Sequence, residues 1–232
     1  MISSDRIMLR LHIEAVWGVQ LPPLLPNTVE LLPESARPSW KLYIAELFNA
    51  HVHVWRPDVG ATERKALLAH VNNAFTLPPT VPPSPTISRE VVLHQRASPT
   101  MSFSAAQLLA RPLTSHDRAL VESFEPGSAD ELFHAGLHPH IGVIVEGRLL
   151  SVAHSSRRTA AACELGIDTL PEARRRGYAL AATVLWTDAV TREGLLPLYS
   201  ASADNTASLR LAGAAGYREF ARGVSIEMES YI

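Results

Sequence analysis

Cysteine is almost missing. Cys163 is the only one in 232 residues, which excludes an intrachain disulfide and makes the reducing cytoplasm the simplest expected compartment. Charge of one sign is not in excess either: 21 Lys and Arg stand against 23 Asp and Glu, a net −2. That balance argues against a dedicated nucleic-acid binder. No apolar run approaches the ~18 residues that would suggest a membrane span. Asp5, Arg6, Arg10 and Glu14 also interrupt the N-terminal segment, where a signal peptide needs an unbroken apolar core. Hydrophobic residues are present in ordinary amount, 47%, enough for one large core or two modest ones.

Proline is the residue that organises the chain. Five of 17 fall in Leu77-Pro-Pro-Thr-Val-Pro-Pro-Ser-Pro85, where clustered rings favour an extended crossing over packed structure. The expected division is an N-terminal α/β segment over 1–76, a proline-rich linker over 77–88 and a second domain over 89–232; a rigid loop inside one fold is the competing reading. Upstream, Trp40–Phe48 is ambiguous between strand and helix, His51–Trp55 alternates as a strand, and Ala61–Phe75 has apolar residues at helical spacing. Downstream, Gln107–Pro112 suggests a short strand, and Thr114-Ser-His-Asp117 a capped helix start. His140–Val145 and Arg148–His154, joined by Glu146-Gly147, predict a β-hairpin. Ala160–Thr169 reads as a further strand and Gly177–Glu193 as a helix ended by Gly194. Leu195–Ser200 is a buried-type strand, Asn205–Ala215 a helix and Tyr217–Glu229 a last strand.

Chemistry concentrates where the strand before Leu170 turns into the helix at Gly177. A helix N-terminus carries unpaired N–H groups and positive potential. Gly177 and the small Ala179 let the backbone approach a pyrophosphate, and Arg174, Arg175 and Arg176 add positive charge. Arg174-x-x-Gly177-x-Ala179 is similar to the acetyl-CoA pyrophosphate loop of the GNAT superfamily, and it has the strand-before, helix-after context such a motif needs. Asp204-Asn-Thr-Ala-Ser-Leu-Arg-Leu-Ala-Gly-Ala-Ala-Gly-Tyr217 resembles the segment that follows the fifth strand in that superfamily. Ile-Asp-Thr-Leu-Pro-Glu-Ala-Arg and Leu-Pro-Leu-Tyr-Ser look like the branch of glycine N-acyltransferases and antibiotic-resistance acetyltransferases.

The resemblance implies an α/β (α+β) fold, a mixed, largely antiparallel sheet flanked by helices, preceded by an α/β extension or degenerate half-fold. It implies acetyl-CoA or another acyl-CoA as co-substrate and no metal. The cofactor contacts would be the backbone near Ile167 and Thr169, the turn Arg174, Arg175, Arg176, Gly177, Tyr178 and Ala179, and the side chains of Asn205 and Ser208. The acceptor would be a primary amine of a small molecule or peptide, acetylated by a monomer or homodimer with no nucleic acid or membrane partner.

Amine acylation needs a proton acceptor. Glu164 matches by position a carboxylate base used by several members, and Asp168 shares its strand face by alternation; a salt-bridged or surface carboxylate is the plainer reading of each. For Asn205 the plainer reading is a helix N-cap. His134, His138 and His140 fit a loop near the acceptor entrance better than a metal site, and Cys163 fits the core. Many members carry a tyrosine seven residues after the asparagine; here that position is Ala212, leaving Tyr199, Ser208 or no side chain as acid. A CoA-binding regulator that has lost catalysis and a nucleic-acid-associated module are the alternative function classes.

Overall fold

The computed structural model describes residues 4–71, 87–133 and 137–227. In chain order these form α1 (Ser4–Trp17), β1 (Thr28–Glu30), β2 (Leu42–Leu47), β3 (Ala50–Trp55), α2 (Ala61–Val71), β4 (Ile87–Gln95), α3 (Phe103–Gln107) and β5 (Arg111–Pro112). They continue with α4 (Arg118–Phe124), α5 (Ala129–Leu132), β6 (His140–Val145), β7 (Arg148–Arg158), β8 (Ala162–Thr169), α6 (Tyr178–Arg192), β9 (Leu196–Ser202), α7 (Thr206–Ala214) and β10 (Tyr217–Ile226). The pairing is largely antiparallel and the strands are flanked by helices, the α+β class expected.

Contacts divide the chain into two units that are not continuous in sequence. One gathers the described residues of Met1–Leu93, Ser200–Thr206 and Glu219–Ile232; the other those of His94–Tyr199 and Ala207–Arg218. The expected linker lies outside the described residues except for Ile87 and Ser88, which already belong to β4.

In the first unit the strand order is β1-β3-β2-β10-β4. β2 resolves the ambiguity of Trp40–Phe48 in favour of strand, because β3 and β10 flank it on both edges and bury almost its whole length. Leu42, Ile44, Trp55, Val59, Leu67, Val224 and Ile226 close this core. Beside it, Tyr43 donates its hydroxyl to Glu90 Oε1 at 2.6 Å, and His12 Nε2 lies 3.2 Å from the same oxygen. Gly223 is required here, since a Cβ would fall 2.8 Å from the Glu90 carboxylate and closer to the Tyr43 hydroxyl.

In the second unit the order is β9-β8-β7-β6-β5. Gln107 ends helix α3 rather than opening a strand, and only Arg111–Pro112 pair with β6. Ser102 caps that helix by accepting from Ala105 N–H, a local bond that outweighs the weak strand pattern. The β6–β7 turn carries positive φ at both Glu146 (50°) and Gly147 (75°), as a two-residue turn of this hand requires. Thr114 N–H donates to Asp117 Oδ2 at 2.9 Å at the start of a 3₁₀ turn leading into α4.

Arg111 grips Asp117 with both guanidinium nitrogens, at 2.6 and 2.9 Å. The Arg111 hydrogen bonds, helped by Thr114, outweigh burial and hold the Asp117 carboxyl at about 2. A depressed carboxylate contributes stability above its unfolded value and loses it as pH falls through the folded one. Asp117→Asn is therefore expected to lower stability by about 1–2 kcal/mol at pH 7, discounted for the half-exposed arginine. Denaturant titrations should show the gap between the two proteins closing between about pH 4 and pH 2.

Candidate active site

β8 and β9 run parallel but share only three registered pairs, Ala162–Leu196, Cys163–Pro197 and Glu164–Leu198. Beyond Glu164, β8 continues to Thr169 in register with β7, from Leu165–Ser155 to Thr169–Ser151. Leu170 N–H donates to Leu150 O at 3.0 Å, and successive residues of a strand turn their N–H and C=O to opposite edges. Gly166 and Asp168 therefore address β7, while Leu165, Ile167 and Thr169 address the other edge. The 3.0 Å bond from Leu196 N–H to Ala161 O agrees, since it places an odd-numbered residue toward β9.

The chain leaves β8 through a 3₁₀ turn, Pro171–Ala173, and Arg174 is extended (φ −65°, ψ 155°). Arg175 has φ +62°, and Gly177 caps α6 at φ +80°, ψ 1°. Ala181 N–H donates to Gly177 O at 3.0 Å, so the amides before it belong to the helix's open first turn. Arg174, Arg175 and Arg176 are exposed; Gly177, Tyr178 and Ala179 are half-buried.

A cavity of about 260 Å³ opens against β6, β7 and Asp168 of β8. Trp186 of α6 donates its indole N–H to Ser155 Oγ at 3.2 Å, so the neighbouring His154 points to the opposite face of β7, the side on which Val152 packs with Val121 of α4. Val121, Phe124 and Leu132 give the cavity an apolar wall; His140, His154 and Asp168 give it a polar one. His140 is 6% exposed, and its Nε2 is buried with no hydrogen-bond partner among the described residues. Burial, reinforced by His154 and His138, pushes its pKa down to about 4. At neutral pH it is an uncharged imidazole.

The two carboxylate candidates separate here. Asp168 is exposed and lines the cavity, whereas Glu164 is 4% exposed with its carboxylate oxygens enclosed. Both sit on the face of Gly166, one pleat to either side. Ser208, on α7, meets the Tyr199 hydroxyl at 2.8 Å. Burial raises the Tyr199 phenol, the Ser208 bond opposes that, and the Glu164 charge adds to it. Asn205 precedes α7, with its N–H donating to Ser202 O at 2.9 Å, and contacts group it with the first unit. Ala212 and Cys163 are fully buried. His134 lies outside the described residues, and among those described no cluster could hold a metal ion.

Residues 119–222, a little under half the chain, match the family model described as GNAT acetyltransferase. This stretch is similar to GNAT acetyltransferases. The chain is an acyltransferase, of the class that transfers acetyl groups from acyl-CoA. An acetyltransferase of the GNAT family from Colwellia psychrerythraea is 14% identical with a TM-score of 0.52, covering 76% of each chain, which shows a shared fold. A GNAT-family protein from Novosphingobium aromaticivorans is 25% identical (TM-score 0.48; 62% of this chain, 68% of that one). The aminoglycoside N-acetyltransferase AAC(6')-Iy in complex with CoA is 21% identical (TM-score 0.40; 48% and 88%). None of the curated proteins matches.

Within this stretch, sequence reasoning missed His154 as a cavity residue; His140, expected in a loop near the acceptor entrance, opens β6 and lines the cavity. The hairpin was legible, but not which of its side chains share a face.

Proposed function

We propose that the chain is an N-acetyltransferase that moves an acetyl or longer acyl group from a CoA thioester to a primary amine of a small molecule or peptide. One observation supports this above the others. The β8 edge presenting Ile167 and Thr169 parts from β9 and leads directly into the Arg174-x-x-Gly177-x-Ala179 turn and the N-terminus of α6. A strand edge can pair with the amides of a pantetheine arm, and a helix N-terminus can hold a pyrophosphate. Arg175 to Ala179 would supply backbone amides and the arginines long-range attraction; Asn205 and Ser208 are proposed contacts on sequence resemblance alone.

The cavity beside Asp168 takes the acceptor. Its carboxylate attracts an ammonium ion, and the apolar wall from α4 and α5 accepts a hydrocarbon body. The Tyr199 phenol is raised and buried, which makes it a poor proton donor to sulfur. A thiolate of ordinary pKa near 8.5 leaves tolerably without one. The resemblance to glycine N-acyltransferases and antibiotic-resistance enzymes belongs to this reading, as does a cytoplasmic location.

Thermal unfolding with increasing acetyl-CoA tests it. Stabilisation should grow with the logarithm of concentration, about 2.7 kcal/mol at a hundred times Kd, and thiol release should require an added amine. No stabilisation at millimolar acetyl-CoA would sink the reading. Stabilisation without amine-dependent thiol release would leave a CoA-binding regulator.

A further inference from the structure

The register of three strands brings two histidines and a glycine into one row. His140 of β6 pairs with His154 of β7, and His154 with Gly166 of β8. Neighbours in such a row point to the same face, with Cβ atoms about 5 Å apart. Gly166 supplies no side chain, and the His154 ring fills the space. A Cβ on Gly166 would lie 2.6 Å from His154 Cε1 and closer still to Nε2. The imidazole therefore leans across β8, away from His140, with Nε2 over the Gly166 backbone. Next in sequence is Ile167, whose backbone addresses the edge left open by β9. His154 is half-buried and lines the cavity.

From this row we infer that His154 is the catalytic base, taking the proton from the acceptor ammonium at Nε2. The inference rests on the acyltransferase reading above. Glu164 and Asp168 occupy the same face of β8 one pleat before and one pleat after Gly166, so an imidazolium formed there is bracketed by two carboxylates. The other groups facing it are His140 from β6, Glu125 from the end of α4 and Arg157 further along β7. His140, uncharged at neutral pH, adds no repulsion to the imidazolium.

In the step, R–NH₃⁺ gives one proton to Nε2 and its freed lone pair attacks the thioester carbon. The C–N bond forms, the adduct collapses, and the C–S bond breaks with its electron pair going to sulfur. The second nitrogen proton ends on sulfur as the thiol. The imidazolium returns its proton to solvent at the cavity mouth, so one proton is released per amide made.

The experiment uses the full chain, acetyl-CoA and a panel of primary amines headed by 2-phenylethylamine, with thiol release followed across pH. His154→Gln should lower kcat at pH 7.5 by about 10²-fold or more, the range for a lost general base. It should also remove the acid limb set by the imidazole from the kcat/KM profile, leaving only the rise due to the amine's own ionisation, and leave the acetyl-CoA Kd by calorimetry unchanged. Gly166→Ala, which evicts the ring without removing it, should lower kcat in the same direction and leave that Kd unchanged, a second route if the first variant folds poorly. Wild-type turnover with an undiminished kcat and intact acid limb in His154→Gln would overturn the assignment alone. No amine-dependent thiol release by the wild type would overturn the acyltransferase reading, and this assignment with it.

Discussion

Replacing Gly177 by Phe is expected to weaken acetyl-CoA binding by about 100-fold or more, a loss of some 2.7 kcal/mol readable by calorimetry. Gly177 sits at φ +80°, where an L-residue costs about 1–2 kcal/mol. A Cβ alone would meet Met101 Cε at an ordinary 3.5 Å, so the pocket admits a methyl group. A benzyl group cannot share that turn with a phosphate brought against the α6 amides. Two controls separate strain from obstruction. Gly194, at the other end of α6, has φ +78° and open space around it, so Gly194→Ala should lower stability and leave affinity unchanged. Gly177→Ala should fall between. Unchanged affinity in Gly177→Phe would remove the pyrophosphate from this turn.

The second large effect is on stability, in the first unit. Glu90 receives the Tyr43 hydroxyl and lies against buried His12. Burial opposes ionisation of Glu90, but the His12 charge and the hydrogen bonds from His12 and Tyr43 outweigh it and hold the carboxyl below its usual value. Taking one partner from a buried charge pair costs about 3–5 kcal/mol, because the other is left uncompensated. Glu90→Ala should therefore lower the melting temperature by about 6–20 °C in a chain of this size, read through the near-ultraviolet signal of Trp40, whose ring lies 5.8 Å from that of Tyr43. Because the folded carboxyl is depressed, the wild-type advantage is complete above the unfolded value near 4.3 and fades as pH falls through the folded one. An advantage independent of pH between 7 and 3 would mean that Glu90 acts through packing alone.

Much of the second unit was legible because its signals are local. Glu146-Gly147 specified the hairpin, Gly177 and Gly194 marked the ends of α6, and Gly216 with Tyr217 marked the step from α7 to β10. The cavity row was not legible. The two-residue turn pairs Val145 with Arg148 and Ile144 with Leu149, a register that would carry His140 opposite Ala153. An irregularity between Val143 and Ile144 advances β7 by one residue and brings His154 beside His140. A one-residue shift reverses every side chain beyond it, and no residue of the hairpin announces it. The first unit was harder still. Helix α1 and strands β1 and β4 carried no motif, and β2 is a strand because of its neighbours rather than its own pattern.

The place of β10 beside β2 has a bearing on how the chain is made. During synthesis β2 leaves the ribosome early, with Leu42 and Ile44 already committed to a core, while its partner Val224 emerges among the last residues described. The intervening segment includes everything from His94 to Tyr199, most of the second unit. The N-terminal part must then wait with an apolar strand edge uncovered, a state that invites wrong pairings and engages chaperones. A fragment ending at Leu93 would be held in that waiting state permanently.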